Sequence, residues 1–362
     1  LKLLKKLQQE MNMGLILITH DLPIVKHLCD DILVMKNGCV EAYGNTDNFF
    51  KKPPTEYFRT LIKPYRAAPV NFESVADKCL HVERLGVDIS QGHFWQKQQR
   101  AIIQNIRFDV LNGESVGIIG AGPGGLAAAD RLRRAGVQVT IYDRYDRAGG
   151  LLTYGIPGFK LEKDIVLRRN DQLQAGGVEF VLNCTVGEEI SFADLRAKHD
   201  AVVIATGVYK SRDLDAPGSA AAGGVRAIDY LTASNRVGFG DSVPAFDNGE
   251  LNAANKRVVV IGGGDTAMDC VRSAIRQGAV SVKCLYRRDR ANMPGSQREV
   301  QNAEEEGVVF EWLAAPNGFI GDPVTAVCVQ KMRLGAPDAT GRRSPEVIEG
   351  SDYDEPADLV IK

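Results

Sequence analysis

Two stretches of this 362-residue chain, GESVGIIGAGPGGLAAADRLRRAG and KRVVVIGGGDTAMDCVRSAIRQGAV, each run from an apolar strand through a glycine turn into a helix. They predict an α/β fold with two Rossmann-type dinucleotide-binding units, and the strand–glycine–helix alternation between and after them implies a mostly parallel sheet in each. A third observation concerns charge. The strand that follows the first turn ends in Asp143, whereas the strand that follows the second ends in Arg287 and Arg288.

Residues 1–116 have a different texture. LKLLKKLQQEM places Leu1, Leu4, Leu7 and Met11 on one helical face, and GLILITHD reads as a buried strand. Asp21 can cap a helix with Pro23 in its first turn. DILVMKNGCVEAYG is a hairpin turning at Asn37-Gly38, and TEYFRTLI is a helical patch ending at Pro64. PYRAAPVNFESVADK has weak periodicity and reads as a linker, while NIRFDV alternates as a strand with one buried face.

From Ser115 the elements repeat. SVGIIG is a strand, Leu126 to Ala135 a helix closed by Gly136, and VQVTIYD a second strand. A helix over about Lys163 to Ala175, a strand at VEFVLN, a helix capped by Ser191 and the strand AVVIATG complete the first unit. Residues 208–255 read as a connecting stretch with one short helix near AIDYLTASN, and the second unit begins at KRVVVIGG. Glu304 to Glu306 are expected on the solvated face of a helix ending at Gly307.

The first turn could hold phosphates in two ways. Gly120 and Gly125 have the spacing of an ATPase P-loop, but Leu126 and Ala127 stand where its lysine and hydroxyl would be, which argues against ATP hydrolysis. Gly120, Gly122 and Gly125 instead satisfy G-x-G-x-x-G, in which backbone amides at a helix N-terminus face a pyrophosphate. Gly262, Gly264 and Ala267 give the accepted alanine variant. A carboxylate at the second strand's end, as in Asp143, favours a free ribose hydroxyl. The paired guanidinium groups of Arg287 and Arg288 offer forked donors to a 2′-phosphate. The first unit therefore fits the adenosine half of FAD or NAD, and the second fits NADPH. Gly149 and Gly150 could simply end the second strand, or in a flavin site let the backbone approach the cofactor.

Composition sets bounds. With 44 basic and 46 acidic side chains, nothing points to nucleic acid or a membrane surface as a partner. The apolar runs are too short to span a bilayer and no signal peptide opens the chain, so a cytoplasmic protein is expected. The seven cysteines, Cys29, Cys39, Cys79, Cys184, Cys270, Cys284 and Cys328, lack C-x-x-C, zinc or ferredoxin spacing and are expected to be reduced and mostly buried. The chain starts without methionine and stops inside the apolar strand ADLVIK, which reads as a chain cut at both ends.

From Gly117 onward, GAGPGGLAAADRL, AGGLLTYGIPGFKLEK, AVVIATGVYKSR, RVVVIGGGDTAMDCVR and YRRDRANMPGSQREVQNAEEEGV together resemble the small (beta) subunit of NADPH-dependent glutamate synthase. The resemblance implies FAD on the first unit and NADPH on the second. It also implies electrons leaving through iron–sulfur clusters to a large subunit that makes glutamate. It places Gly120, Gly122, Gly125, Asp143, Gly150 and Leu151 against FAD. Gly262, Gly264, Asp265, Thr266, Arg287 and Arg288 would contact NADPH. No catalytic side chain is expected, because the cofactors carry the chemistry and the protein aligns them. The family's cysteine-rich segment is not found in this sequence, so no cluster is expected on it, and its C-terminal flavin-contacting return would lie beyond Lys362.

Residues 1 to about 120 resemble a tandem peptide-type ABC transporter ATPase. His20 in LILITHDL matches the switch histidine, TEYFRTLIKP the tail of a first cassette, and CLHVERLGVDI through IRFDVLNGESVGIIG the opening sheet of a second. The expected division is a cassette fragment over 1–65, a linker over 66–78, a second cassette fragment over 79–116, an FAD half-domain over 117–215, a connector over 216–255 and an NADPH domain over 256–362. The seam would fall near 117–120, where both families use GIIG. The alternative readings are a transporter ATPase fragment, which alone would touch a permease, and an inactive fusion.

Overall fold

The computed structural model describes residues 17–18, 22, 25–26, 29–36, 39–62, 114–208, 214, 216–337 and 343–362, together with the backbone of 78–91 and 98–111. His20, Asp21, the Asn37-Gly38 turn and the linker up to residue 77 lie outside them. The chain divides into two compact units, Leu1–Asn71 and Phe72–Lys362.

In the first unit β1 (Asp31–Lys36) pairs antiparallel with β2 (Cys39–Asn45), as the predicted hairpin requires. Ile32 and Val34 of the hairpin join Phe49 of α1 (Thr46–Lys51) and Phe58 and Ile62 of α2 (Glu56–Ile62) in a small core. Asn45 caps α1, its side chain accepting from the Asn48 amide.

The second unit opens with a long antiparallel pair, β3 (Lys78–Gln91) and β4 (Gln98–Leu111). A four-stranded parallel sheet follows, ordered β7-β6-β5-β8, with β5 Ser115–Ile119, β6 Gln138–Tyr142, β7 Val178–Val181 and β8 Ala201–Ile204. The order steps outward in one direction and then reverses beside β5, which opens a crevice at the strands' carboxyl ends. Strand β5 starts at Ser115, as the sequence reads, and Ser115 and Val116 pair with Gln138, Val139 and Ala201. Helix α3 (Pro123–Arg134) begins three residues ahead of the expected Leu126, since Pro123 suits the first helical position after Gly122. Gly136 ends that turn at φ +97°. Helix α4 (Leu151–Tyr154) follows β6, α5 spans Lys163–Ala175 as predicted, and α6 (Phe192–Lys198) is capped by Ser191.

The second sheet repeats the order with β12-β11-β10-β17-β9. Its strands are β9 Gly224–Val225, β10 Arg257–Ile261, β11 Ser281–Tyr286, β12 Val309–Trp312 and β17 Leu359–Ile361, all parallel. The stretch expected to be a connector is built into this unit. Strand β9 pairs with β17 at the sheet edge, and Tyr230 and Leu231 of α7 (Ala227–Gly238) are buried in the core. A short α8 (Pro244–Asp247) leads to β10. Helix α9 (Asp265–Arg276) follows the second glycine turn, and α10 (Gln297–Glu305) precedes β12. An antiparallel sheet of β13 (Ala314–Ile320), β14 (Ala326–Pro337), β15 (Arg343–Val347) and β16 (Tyr353–Pro356) lies between β12 and β17 in sequence.

Among the six described cysteines, Cys184, Cys270 and Cys284 are buried and free, whereas Cys39 is exposed and Cys29 and Cys328 are partly covered, so burial among these six is less general than expected; Cys79 lies outside the described side chains. Among the described residues no helix is long and apolar enough to cross a membrane.

Candidate functional site

Each glycine turn sits at the carboxyl end of its first strand, held there by the second. The Gly120 amide donates to Tyr142 at 2.8 Å, and the Gly262 amide to Leu285 at 3.1 Å. Gly120 has φ +106° and a Cβ there would lie 2.5 Å from the Ala205 carbonyl oxygen, so only glycine fits. At Gly125 a Cβ would come within 1.9 Å of the Gly120 carbonyl oxygen, which brings α3 hard against the turn. Gly122 and Gly264 differ from these two, because an added Cβ at either meets nothing within 4 Å among the described residues. Neither α3 nor α9 has a side-chain cap, so their first amides are open toward that space. The first turn thus combines crowding that demands glycine at Gly120 and Gly125 with an unfilled approach at Gly122, and the second turn, where Gly262 has φ +144°, shares that approach at Gly264.

A pocket of about 200 Å³ opens beside the first turn, lined by Gly120, Asp143, Arg144, Tyr145, Thr185 and Thr206 among others. Asp143 is 9% exposed and accepts from the Ala121 amide at 2.6 Å and the Tyr145 amide at 2.9 Å. Each oxygen thus takes one protein donor and keeps acceptor capacity for a ribose hydroxyl. Arg144, Tyr145, Thr185 and Thr206 escaped the sequence reading. The first two follow Asp143 directly and Thr206 lies in the ATG after β8, so chain position was a usable signal for these three. Thr185 carried none.

Gly149 and Gly150 have φ +123° and +54° and lead into α4, where Leu151 is 40% exposed. The Gly149 amide donates to Ala121 at 2.8 Å, joining this corner to the first glycine turn. The second unit has a counterpart that the sequence reading missed, since the Gly295 amide donates to Gly263 at 2.9 Å. Asp265, expected against nucleotide, accepts from the Ser296 amide at 3.2 Å and so ties that corner to α9. Thr266 is exposed at the start of α9.

Arg287 and Arg288 follow β11, one strand from the second glycine turn. Arg287 is exposed. Arg288 is partly covered, and its Nε is buried with no hydrogen-bond partner among the described residues. Pairing with Asp289 does not explain them, because Asp289 instead caps the next turn by accepting from the Asn292 amide at 2.9 Å. An orphaned guanidinium donor at a strand end fits an anion that would complete it.

The expectation of a merely solvated face at Glu304–Glu306 needs correction. Glu304 pairs with Arg290 at 2.7 Å, and Glu306 accepts from Arg272 at 2.7 Å and from Arg276 at 2.5 Å. The Arg276 and Arg272 hydrogen bonds outweigh burial and hold the Glu306 carboxyl down at about 2.

Two parallel sheets of like order, each with a glycine turn and an open helix N-terminus, define a two-dinucleotide α/β protein of the redox type. Residues 114–339 match the pyridine nucleotide-disulphide oxidoreductase family, and the chain belongs to it. It is 76% identical over 249 residues to a putative glutamate synthase [NADPH] small chain of Cereibacter sphaeroides, covering 68% of this chain and 60% of the relative. Against the glutamate synthase [NADPH] small chain of Azospirillum brasilense, identity is 64% over 251 residues, covering 69% and 52%. The chain thus spans a little over half the length of these relatives. FprA of Mycobacterium tuberculosis, solved in complex with NADPH, is similar in fold, with TM-score 0.60 at 20% identity over 69% of this chain and 70% of that one.

Proposed function

We propose that this chain carries the FAD- and NADPH-binding part of a reductase of the glutamate synthase small-subunit type. The observation that carries the reading is the charge contrast on a repeated scaffold. Buried Asp143 ends the second strand of one unit, and Arg287 with the orphaned Arg288 Nε ends the second strand of the other. Bound in these units, NADPH would supply a hydride and FAD would accept it. The backbone at Gly122 and Gly264 would receive the two pyrophosphates, Asp143 would orient a ribose, and Leu151 with the Gly149–Gly150 corner would line the flavin. Arg287 and Arg288 would hold the 2′-phosphate and so favour NADPH over NADH.

The high identity to the relatives supports electrons passing to a large subunit for glutamate synthesis, in the cytoplasm. For residues 1–116 we keep the ABC-cassette reading, supported by sequence pattern and by the observed order of a hairpin, two helices and a long antiparallel pair.

The decisive experiment adds FAD to the purified chain and follows flavin absorbance as NADPH is supplied without oxygen. Bleaching by NADPH, slow with NADH, is expected. Arg287→Ala with Arg288→Ala removes two charge-assisted contacts of about 1.5–3 kcal/mol each and should lower the preference about 100-fold or more. A chain that retains no flavin on gel filtration after FAD addition refutes the reading.

A further inference from the structure

Residues 156–163, IPGFKLEK, run from the end of α4 into α5 and are not part of either glycine turn. One end of this stretch is tied to the Gly149–Gly150 corner, because the Lys163 ammonium donates to the carbonyls of Leu152, at 3.0 Å, and of Ile156. The middle reaches the second unit. Lys160 Nζ lies 2.8 Å from Asp269 Oδ1 and 3.5 Å from Glu299 Oε2. The Phe159 ring lies under the guanidinium groups of Arg276, at 3.8 Å, and Arg272, at 4.9 Å. Asp269 and Arg272 are buried polar side chains of α9, the helix whose first residue, Asp265, sits at the second glycine turn. Positions 265, 269, 272 and 276 share one face of that helix.

A packing ion pair on a helix is usually a neutral feature, so the location of this one matters more than its strength. The stretch is covalently continuous with the corner of one nucleotide unit and ionically fixed to the helix that forms the corner of the other. Burial works against the Lys160 ammonium, yet the Asp269 hydrogen bond and the Asp269, Glu299 and Asp265 charges hold its pKa above the ordinary value. Burial likewise pushes the Asp269 carboxyl up, with Lys160 pulling the other way. Glu299 also pairs with Arg272, at 2.7 Å, so two cations sit among these carboxylates, and Lys160 is the one that the stretch contributes.

We propose that this stretch is a strap that sets the separation and angle of the two nucleotide sites, with Lys160 and Asp269 as positioning residues for hydride transfer. The proposal rests on the functional reading above. Hydride donors and acceptors react at about 3–3.5 Å, and an error of about 1 Å can cost about 100-fold in rate. Nucleotide affinity depends on each turn separately, whereas transfer depends on their mutual placement.

The test uses the whole chain with Lys160→Met and, as a milder variant, Lys160→Gln, which keeps a hydrogen bond without the charge. Flavin reduction is followed without oxygen over a range of NADPH concentrations, separating binding from the limiting rate. The expected result is a limiting rate about 10- to 100-fold lower, with flavin content and NADPH affinity within about twofold, weakened charge-transfer absorbance between the stacked rings, and recovery in Lys160→Arg. In the cofactor-free chain, hydrogen exchange should rise across 156–163 and the first turn of α9. Unchanged limiting rates in both variants, or unchanged exchange, overturn the strap. If the parent chain itself fails to reduce flavin, the functional reading falls, and the exchange measurement decides the strap by itself.

Discussion

Alanine at Gly125 and alanine at Gly122 should have opposite consequences, although the two glycines belong to one motif. At Gly125 the new Cβ would lie 1.9 Å from the Gly120 carbonyl oxygen and 3.4 Å from Ile118 Cγ2. The nearer atom is backbone and cannot swing aside, so α3 must lift from β5. Overpacking of a core typically costs about 1–3 kcal/mol, and a contact this short places Gly125→Ala near the upper end, about 3 kcal/mol. Gly122 has φ −73°, ordinary for alanine, and an added Cβ meets nothing within 4 Å among the described residues. Gly122→Ala should therefore be neutral or stabilise by up to about 1 kcal/mol, through the reduced freedom of the unfolded chain. Its methyl group would nevertheless occupy the approach of the pyrophosphate. Loss of two hydrogen bonds to a charged group, about 1.5–3 kcal/mol each, should weaken FAD binding by about 100-fold or more. Thermal unfolding of the cofactor-free chain and titration of flavin fluorescence read the two effects separately. Parent-like FAD affinity in Gly122→Ala refutes the placement of the phosphate, and a parent-like melt in Gly125→Ala refutes the packing argument. Gly264, with φ −92° and equally open space, should behave as Gly122 does, with NADP+ as the ligand.

Asp143→Ala removes the acceptor of the Ala121 and Tyr145 amides, and should both lower stability by about 1–3 kcal/mol and strip flavin on gel filtration; full retention of flavin would exclude Asp143 as a ribose ligand. Glu306 has a folded value of about 2 against an ordinary 4.5, so its stabilisation is present above pH 4.5 and is lost as pH falls through about 2. Solvent screening of this partly exposed group reduces the full linkage value, so Glu306→Gln should cost about 1–2 kcal/mol at pH 7 and flatten the fall of urea midpoints between pH 5 and 3, and equal slopes would discount the Arg272–Arg276 clamp. Burial pulls the Lys163 amine down to about 8 from 10.5, with Asp269 opposing. The unfolded chain then binds the extra proton between those values, so stability rises with pH across that window. Melting temperatures of Lys163→Met should lose this rise, and an undiminished rise would assign it elsewhere.

Some elements were legible because their causes are local. Strand β5, its glycines and α3 sit within two dozen residues, and helix α5 is bounded by Lys163 and by Gly176 just as the sequence reads. Strand β9 was not legible, since two residues carry no period and their partner β17 comes at the far end of the unit. Glu306 read as a solvated charge because the arginines that clamp it lie a helix away in sequence.

By itself, then, the sequence determined which backbone positions must be glycine and which charge ends each second strand, because both are requirements of a single strand–turn–helix unit. Only the tertiary structure decided that Gly149 and Gly295 close the two corners in the same way, that the Arg288 Nε is left without a partner among the described residues, and that Lys160 meets Asp269. Each of those facts depends on residues far apart in the chain, and a charge or glycine whose partner is distant looks in sequence like any other on the surface.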